Sequence, residues 1–447
     1  RASVFAEKGQ LTMKNTKFSR RNFLAGALAA SAAPMILPSR VLGRAGCVAP
    51  SERITMGFIG LGGQGSGHLF GGSWTYVTGG YLGRSEVQIL GVCDLWRDKR
   101  VDAKARINRH YAQLHGEGSY MSCEAYLDFR DLMARPDIDA VLMALPFHWH
   151  APMAITAVKA GKDVYSEKPV AMTIEEGRIL ADTVKRYGRV YQAGTQQRSE
   201  YDGKFRRAYE LVRNGYIGEL KEIYANSPGG GFSANMQDVY AKGVPIPEGF
   251  DWDIYVGPGP WQPFTGGNAN CGLFAHGDPN WGPHHYDIVQ WVFEKDYPGP
   301  VEVSYEDDPA VLRYENGATI HGCKHPSEPV GGVGGACFVG TEGYVAVDRE
   351  NIVSNPPGIL NAQLKPSDER AYPSKSHAGN FLECIRTRKL TTCNAETAHR
   401  SMSLVLLAGI ATQLKRKMTW DPVKEEFPGD EQANRLLSYA RRPGWEF

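Results

Sequence analysis

The stretch RITMGFIGLGGQGSGHLF, residues 53–70, constrains the fold of this chain more than any other. Ile54, Met56 and Phe58 alternate with other residues, which predicts a short buried strand. The spacing G-x-G-x-x-G follows at once, formed by Gly60, Gly62 and Gly65. These glycines permit a tight turn, leave room for a pyrophosphate against the backbone, and let the next helix pack close to the strand. The motif therefore predicts a strand-turn-helix unit in which the three glycines bind a dinucleotide.

The next apolar run, VQILGVCD, ends in Asp94. In folds of this kind a carboxylate at that point binds the adenosine ribose hydroxyls. Asp94 lies 34 residues after Gly60 rather than about twenty, and the insertion GGSWTYVTGGYLG accounts for the excess. An aspartate that merely ends a strand is the alternative. Because a carboxylate repels a 2′-phosphate, we expect NAD as the cofactor, while nearby Arg97 leaves NADP open.

Strand and helix patterns alternate through the first half of the chain, which predicts a doubly wound parallel sheet with helices on both faces. Beyond Leu220 the pattern changes to period-two strands, and Asn316-Gly317 between two of them indicates a hairpin. We therefore predict an α/β Rossmann domain over residues 52–175. An α+β domain with an open, largely antiparallel sheet would follow over 176–447, with its C-terminal helices packed back on the junction. This second domain would bind the substrate and form a homo-oligomer, because an open sheet needs its free face covered.

Residues 16–34, TKFSRRNFLAGALAASAAP, place two arginines ahead of an apolar, alanine-rich segment. The pattern S-R-R-x-F-L resembles a twin-arginine export signal, an address read by a receptor rather than a membrane anchor. A short amphipathic helix with two arginines is the alternative. We expect residues 1–51 to be signal and linker, and the mature protein to be periplasmic or otherwise exported in folded form. A dinucleotide inserted in the cytoplasm would then have to be held tightly, because no free NAD pool exists outside.

Composition excludes several classes of partner. Lysine and arginine together number 50 and aspartate and glutamate 49, so no excess charge favours nucleic acid or an anionic membrane. No apolar run long enough to cross a membrane follows the signal. The eight cysteines show neither C-x-x-C pairs nor zinc-type spacing, so we expect no metal site. A small-molecule ligand fits this composition best.

Several motifs in a fixed order resemble the Gfo/Idh/MocA family, named after glucose-fructose oxidoreductase, inositol dehydrogenase and MocA. They are GFIGLGGQG, PFHWHAPMAITAVKAGKDV, SEKPVAM, AGTQQRS and NWGPHHYDIVQW. Three further stretches resemble an exported bacterial branch with a distinctive C-terminal domain: FDWDIYVGPGPWQPF, HAGNFLECIRTRK and ETAHRSMSLVLLAGIA. The resemblance runs from about Arg53 to the end of the chain.

The resemblance implies a catalytic group of three residues. Lys168 matches the lysine of E-K-P beside the nicotinamide, where it would hold a substrate hydroxyl and stabilise a developing alkoxide. His284 matches the family's histidine and would act as the general base. Asn280, predicted on the same helical face, stands where many relatives have aspartate. An amide orients an imidazole or a substrate but cannot accept a proton, which weakens the case for ordinary dehydrogenase chemistry.

Other residues are assigned to the cofactor or the substrate. Pro146 and His150 follow a strand and match family positions beside the nicotinamide, although His150 could instead be a packing residue. Glu167 is assigned to the cofactor and would also orient Lys168. Polar residues that end a further strand at the same sheet edge are suited to ribose or sugar hydroxyls. Gln196 is assigned to the cofactor, and Gln197, Arg198, Trp281 and His285 to the substrate. For His285 a structural role is the alternative, because it points elsewhere on the helix than His284.

Three functions remain open at this stage. The first is an NAD(P)-dependent oxidoreductase that acts on a hydroxyl of a sugar, polyol or glycoside with a tightly bound dinucleotide. The second is redox-neutral glycoside cleavage, in which a transient keto-sugar permits elimination and the hydride then returns. The third is a non-catalytic sugar or dinucleotide sensor, which the presence of both Lys168 and His284 disfavours.

Overall fold

The computed structural model describes residues 52–72, 75–115, 123–225, 242–266, 276–305, 310–331 and 334–446. The predicted export signal, residues 1–51, lies outside these ranges. Within them, no helix has both the length and the apolar character that crossing a bilayer requires.

The first sheet has six strands. They are β1 (Ile54–Ile59), β2 (Val87–Cys93), β3 (Glu124–Tyr126), β4 (Ala140–Met143), β5 (Asp163–Ser166) and β6 (Tyr191–Ala193). Their spatial order is β3-β2-β1-β4-β5-β6, and every neighbouring pair is parallel. The helices of this half are α1 (Gly63–Phe70), α2 (Arg97–His115), α3 (Phe129–Met133), α4 (His150–Lys159) and α5 (Ile174–Tyr187). The predicted doubly wound sheet is confirmed, and its order reverses between β1 and β4, where such sheets open a ligand crevice.

The first sheet continues past residue 175, the predicted end of the Rossmann domain. β6 pairs in parallel with β5, and a parallel pair of strands needs a crossover connection, which α5 provides. Thr173 caps α5 by accepting a hydrogen bond from the N–H of Glu176, and Gly188 ends it in the left-handed conformation. The predicted boundary therefore falls too early, and the sheet extends to Ala193.

The second sheet has eight strands. They are β7 (Leu220–Tyr224), β8 (Glu302–Tyr305), β9 (Ala310–Arg313), β10 (Thr319–His321), β11 (Ala336–Gly340), β12 (Gly343–Val347), β13 (Ile352–Asn355) and β14 (Met418–Thr419). Their order is β13-β12-β11-β7-β10-β9-β8-β14. Only β7 and β10 pair in parallel among them, so the sheet is largely antiparallel, as predicted. The Asn316-Gly317 turn connects β9 to β10, which confirms the predicted hairpin.

Six further helices lie after β6 in the described ranges. They are α6 (Lys204–Arg213), α7 (Trp252–Val256), α8 (Gly282–Phe293), α9 (His377–Thr387), α10 (Ala395–Leu414) and α11 (Glu431–Asn434). The C-terminal part of the chain also binds the edge strand of the first sheet. The Gln192 amide donates to the His377 carbonyl (2.7 Å), and Thr391 donates to the Tyr191 carbonyl (2.6 Å). These contacts cover the β6 edge, which would otherwise expose unpaired backbone groups.

Candidate active site

The three motif glycines differ in what surrounds them: Gly60 and Gly62 lie between β1 and α1, and Gly65 lies in the first turn of α1. Gly60 has a φ of 84°, and a Cβ there would lie 2.2 Å from the Ala144 carbonyl oxygen. A Cβ on Gly65 would lie 1.8 Å from the Gly60 carbonyl oxygen, so neither position accommodates a side chain. A Cβ on Gly62 would meet no atom within 4 Å. Gly62 therefore leaves the start of α1 open to an approaching phosphate, which is the fit that a dinucleotide requires.

A cavity of about 610 Å³ adjoins this turn. Its walls include four predicted cofactor residues: Gly60, Gly62, Asp94 and Pro146. The Asp94 carboxylate is fixed, because Oδ2 accepts from the N–H of Leu61 (2.7 Å) and Oδ1 from the N–H of Trp96 (2.8 Å). Each oxygen keeps lone-pair capacity for a ribose hydroxyl. The size and the donor set of the cavity suit the adenosine half of a dinucleotide.

Residues 250–255, which we call the aromatic roof, contribute Phe250, Ile254 and Tyr255 to the wall of this cavity. The Phe250 ring stacks on Trp96 with the ring centroids 4.3 Å apart. The indole N–H of Trp149 donates to the carbonyl oxygens of Ile254 (3.0 Å) and Tyr255 (2.9 Å). The roof therefore joins the two halves of the chain across the cavity. The resemblance motif FDWDIYVGPGPWQPF covers these residues but gave them no role at the cofactor cavity, because stacking between residues far apart in the chain leaves no periodic signal.

A second cavity, of about 380 Å³, shares Gly62, Ala144, Leu145 and Phe147 with the first. Its remaining lining residues are Gly63, Gln64, Gly65, His150, Glu167, Lys168, Gln196, Tyr201, Asn280, Trp281, His284 and Arg349. All three predicted catalytic residues lie on this wall. The shared wall makes the two cavities neighbouring compartments of one crevice at the carboxyl end of the first sheet.

Lys168 and Asn280 form a direct pair in the second cavity. The Lys168 Nζ donates to the Asn280 Oδ1 at 2.6 Å. Asn280 precedes α8, so it does not share a helical face with His284 as the sequence analysis predicted. Its backbone N–H is held instead by the Asp278 carboxylate (2.9 Å). The amide therefore positions the lysine rather than the imidazole.

Charges around Lys168 adjust its proton affinity. Burial lowers the pKa of Lys168 below 10.5, and the positive charge of Arg349 lowers it further, whereas Glu167 and Asp278 act in the opposite direction. Glu167 is buried, and its Oε1 lies 2.7 Å from the His68 Nε2 and accepts from the Gln196 amide (3.0 Å). Burial alone would raise the pKa of Glu167, but His68 and the charge of Lys168 hold it at about 2. Glu167 is therefore a carboxylate that stabilises the lysine ammonium.

His284 extends from α8 into the same cavity, and its Nδ1 lies 3.0 Å from the Gln197 Oε1. With the Nδ1 proton donated to that oxygen, Nε2 is the unprotonated nitrogen. Burial lowers the pKa of His284 well below 6.5, and the positive charges of Lys168 and Arg349 lower it further. The imidazole is therefore a neutral base. Gln197, predicted as a substrate residue, is 1% exposed and orients this base instead.

His150 lines the second cavity, but its ring nitrogens are bonded to the backbone. Nδ1 donates to the Glu167 carbonyl, and Nε2 accepts from the N–H of Leu145 (3.1 Å). Burial lowers the pKa of His150 to about 4, so the ring is neutral, with one donor and one acceptor. Neither is left for a cofactor hydrogen bond. His150 therefore joins the loop after β4 to the segment after β5 that carries Lys168. This agrees with the alternative that His150 is a packing residue.

Two predicted substrate residues point away from the cavity. Arg198 is 2% exposed and forms a two-pronged ion pair with Asp287 (2.8 and 2.9 Å). His285 is fully buried, donates from Nδ1 to the Gly335 carbonyl (2.9 Å) and accepts from the N–H of Gly334 (2.9 Å). Both are structural, which for His285 was the alternative.

The wrong assignments of Gln197 and Arg198 as substrate residues have one geometric cause. Residues 196–198 form a single 3₁₀ turn rather than a strand end. Successive side chains in such a turn diverge by about 120°. Gln196 consequently faces the cavity, Gln197 meets His284, and Arg198 meets Asp287.

Arg349 is the main site residue that the sequence analysis missed. It lies in the turn between β12 and β13, and its guanidinium carbon is 4.9 Å from the ring centroid of Trp281 and 5.3 Å from that of Tyr201. Trp281, a predicted substrate residue, does line the cavity. A hairpin turn without a motif gives no sequence signal for a functional arginine.

Two family models match the chain. The model described as "Oxidoreductase family, NAD-binding Rossmann fold" covers residues 54–195, and "Oxidoreductase family, C-terminal alpha/beta domain" covers 351–447. Together they account for more than half of the chain. It belongs to the Gfo/Idh/MocA family. The resemblance inferred from the motifs is therefore confirmed, and so is NAD as the cofactor of its Rossmann domain.

Curated Gfo/Idh/MocA-type relatives include a "Glycosyl hydrolase family 109 protein" of Shewanella baltica. It is 30% identical over 219 residues, which is 45% of this chain and 44% of the relative. A second relative, "Glycosyl hydrolase family 109 protein 1" of Shewanella sp. strain ANA-3, is 29% identical over the same length. The matched part therefore spans less than half the length of these relatives.

Solved structures share the Gfo/Idh/MocA fold with this chain. One is the WlbA dehydrogenase of Bordetella pertussis in complex with NADH and UDP-GlcNAcA (TM-score 0.53, 17% identity, 83% of this chain and 99% of that one). Another is levoglucosan dehydrogenase in complex with NADH and levoglucosan (TM-score 0.52, 16% identity, 82% and 99%). A third is the aldose-aldose oxidoreductase of Caulobacter crescentus complexed with glycerol (TM-score 0.52, 17% identity, 82% and 99%). At this identity they establish the fold alone.

Proposed function

We propose that this protein oxidises a hydroxyl of a sugar, polyol or glycoside with a tightly bound NAD. The observation that carries the proposal is the meeting of Lys168 and His284 on one cavity wall, beside the glycine turn. Lys168 follows β5 of the first sheet and His284 lies on α8, so the cavity unites groups that are distant in the sequence. A sensor that only bound sugar would need neither an oriented neutral base nor a half-buried ammonium.

Bound NAD⁺ would supply the hydride acceptor, and residues of the chain would bind the substrate hydroxyl and accept its proton. The Lys168 ammonium would donate a hydrogen bond to the reacting oxygen and stabilise negative charge on it. The Nε2 of His284 would accept the proton, because the Gln197 carbonyl holds the proton on Nδ1. Asn280 would keep Lys168 in place without adding a charge.

Redox-neutral glycoside cleavage is the second candidate, and three observations favour it. The relatives named as glycosyl hydrolase family 109 proteins match this chain in sequence. Asn280 replaces the carboxylate that the resemblance leads one to expect. The aromatic roof would retain the cofactor between cycles. In such a cycle the sugar would be oxidised to a ketone, the adjacent C–H would lose a proton, and the aglycone would be eliminated. Water would then add at the carbon that lost the aglycone, a proton would return to the adjacent carbon, and the hydride would return to the ketone carbon.

A labelled glycoside separates the two candidates. The protein is incubated with glycosides carrying deuterium at the oxidised carbon, and products are analysed by mass spectrometry. Net oxidation releases a keto-sugar that lacks the deuterium. Redox-neutral cleavage releases free aglycone and a sugar that keeps it, with solvent hydrogen at the neighbouring carbon. Absence of both products across a broad glycoside panel would refute the catalytic proposal.

Replacing Phe250 by alanine should speed the loss of bound nucleotide by up to about ten-fold. A stacked aromatic pair contributes roughly 0.5–1.5 kcal/mol, and the substitution removes the contact with Trp96. The nucleotide that remains after timed exchange into NAD-free buffer is measured by absorbance after denaturation. Trp261→Ala is the matched control, because Trp261 is 53% exposed and not on the cavity wall. Equal loss from both variants would contradict a retaining role for the roof.

The acid limb of the pH profile of kcat/KM should lie well below pH 6.5. His284 acts as a base only when neutral, and burial together with nearby positive charge lowers its pKa. The alkaline limb should fall below pH 10.5, since burial also lowers the pKa of Lys168. Initial rates from about pH 4 to 11 would locate both limbs. An acid limb at or above pH 6.5 would contradict His284 as the base.

We also propose export and self-association. The S-R-R-x-F-L pattern supports a twin-arginine signal, and folded export agrees with a cofactor that is inserted beforehand. The largely antiparallel second sheet supports a homo-oligomer. Cell fractionation with Arg20 and Arg21 replaced by lysine tests the first point, and light scattering of the purified protein tests the second.

A further inference from the structure

Arg349 enters the second cavity with an incomplete set of partners. Its guanidinium lies over the rings of Trp281 and Tyr201, and its Nε is buried without a hydrogen-bond partner. No acidic side chain in the described part of the chain forms an ion pair with it. A half-buried guanidinium without hydrogen-bond partners is poorly stabilised, and a ligand that accepts from it supplies the missing bonds.

The backbone around Arg349 holds it in a fixed position. Its side chain packs against Gly334, where a Cβ would lie 3.2 Å from the arginine Nε. His285 accepts from the N–H of Gly334, so this buried histidine supports the arginine from behind. The Asp348 carboxylate accepts from the N–H groups of Glu350 (2.9 Å) and Asn351 (2.7 Å), which fixes the turn. The guanidinium is therefore preorganised for a ligand.

The charged side chains on the cavity wall leave positive charge at the Arg349 end. Lys168 and Arg349 are the cations, and Glu167 is the one acid that lines this cavity in the described ranges. Glu167 is already engaged by His68 and Gln196. Asp278, nearby, accepts from the backbone N–H groups of Asn280 and Trp281. Neither acid forms an ion pair with Arg349.

We propose that Arg349 binds a carboxylate on the substrate, so that the preferred substrate is an acidic sugar such as a uronic acid or a uronoside. A planar guanidinium that lies over two aromatic rings offers parallel N–H donors, which match the two oxygens of a carboxylate. Lys168 and His284 remain available for the reacting hydroxyl. This inference rests on the proposed sugar-oxidising function and names the class of sugar.

The test compares neutral hexosides with the corresponding uronosides, in matched pairs of the gluco, galacto and manno series with one common aglycone. Binding to the NAD-loaded protein is measured by thermal shift and calorimetry, and turnover is measured separately. In at least one series the wild type should bind the uronoside ten-fold or more tightly than its neutral partner. Arg349→Met should weaken uronoside binding and kcat/KM by about 100-fold and change the neutral sugar less than about three-fold.

Two further variants keep the test decisive. Arg349→Lys keeps the positive charge but not the parallel N–H donors of the guanidinium. It should therefore retain part of the uronoside preference that Arg349→Met loses. Arg186→Met, an exposed arginine on α5, is the matched control and should change neither ligand. Equal binding of both members in every series, or equal losses for both ligands in Arg349→Met, would overturn the inference. Uronoside binding that depends on Arg349 without any turnover would support it while refuting the proposed oxidation.

Discussion

Lys168→Met should lower kcat/KM for any accepted sugar by about 10³-fold, while the protein still purifies with its nucleotide. The methionine side chain has a similar length but can neither donate to the substrate oxygen nor stabilise charge on it. The partner amide, Asn280, would be left facing an apolar group. Turnover on the best glycoside, together with absorbance of the nucleotide released on denaturation, measures both parts of the expectation.

Lys159→Met provides the matched control, because Lys159 is an exposed lysine at the end of α4. It should leave turnover and nucleotide content unchanged. Lys168→Arg adds a second comparison, since arginine keeps the charge but places its donors differently. If Lys168→Met retained turnover within a few-fold of the wild type, the catalytic assignment would be wrong. If it lost the nucleotide instead, Lys168 would be a cofactor residue rather than a catalytic one.

The parts of the fold that follow from local pattern could be predicted from the sequence. Alternation around Ile54, the glycine spacing and the Asn316-Gly317 turn each describe a short stretch whose geometry depends mainly on itself. The approximate sheet edge of the site followed as well, because parallel strands place their carboxyl ends together. Lys168 and His284 were assigned through the resemblance of their motifs to the Gfo/Idh/MocA family.

The direction of individual side chains could not be predicted in the same way. Gln197 and Arg198 are neighbours of a cavity residue, yet one orients His284 and the other is buried in an ion pair. His150 could be placed at the crevice, but only the three-dimensional contacts show its two ring nitrogens occupied by backbone. Arg349 lies far along the chain from every motif. Such roles depend on tertiary contacts, which leave no local pattern in a single sequence.

Arg198→Met should destabilise the folded protein by about 3–5 kcal/mol, because it leaves the fully buried Asp287 carboxylate without its counter-charge. Arg198 also contacts Glu294 (3.1 Å), and its guanidinium lies 4.8 Å from the Trp291 ring centroid. The ion pair connects the turn after β6 to α8, the helix that carries His284. Chemical denaturation monitored by tryptophan fluorescence measures the loss, and KM for the accepted sugar should change less than about three-fold.

A second substitution distinguishes a structural arginine from a substrate-binding one. Arg198→Met combined with Asp287→Leu removes both charges, and well-packed apolar replacements of a buried ion pair often cost little. The double variant should therefore recover most of the lost stability, whereas Asp287→Leu alone should be about as unstable as Arg198→Met because it isolates the buried guanidinium. If Arg198→Met instead kept the unfolding free energy of the wild type and raised KM more than ten-fold, Arg198 would be a substrate-binding residue. Loss of the counter-charge of the buried Asp287 carboxylate would lower the unfolding free energy, whereas loss of a contact with substrate would not.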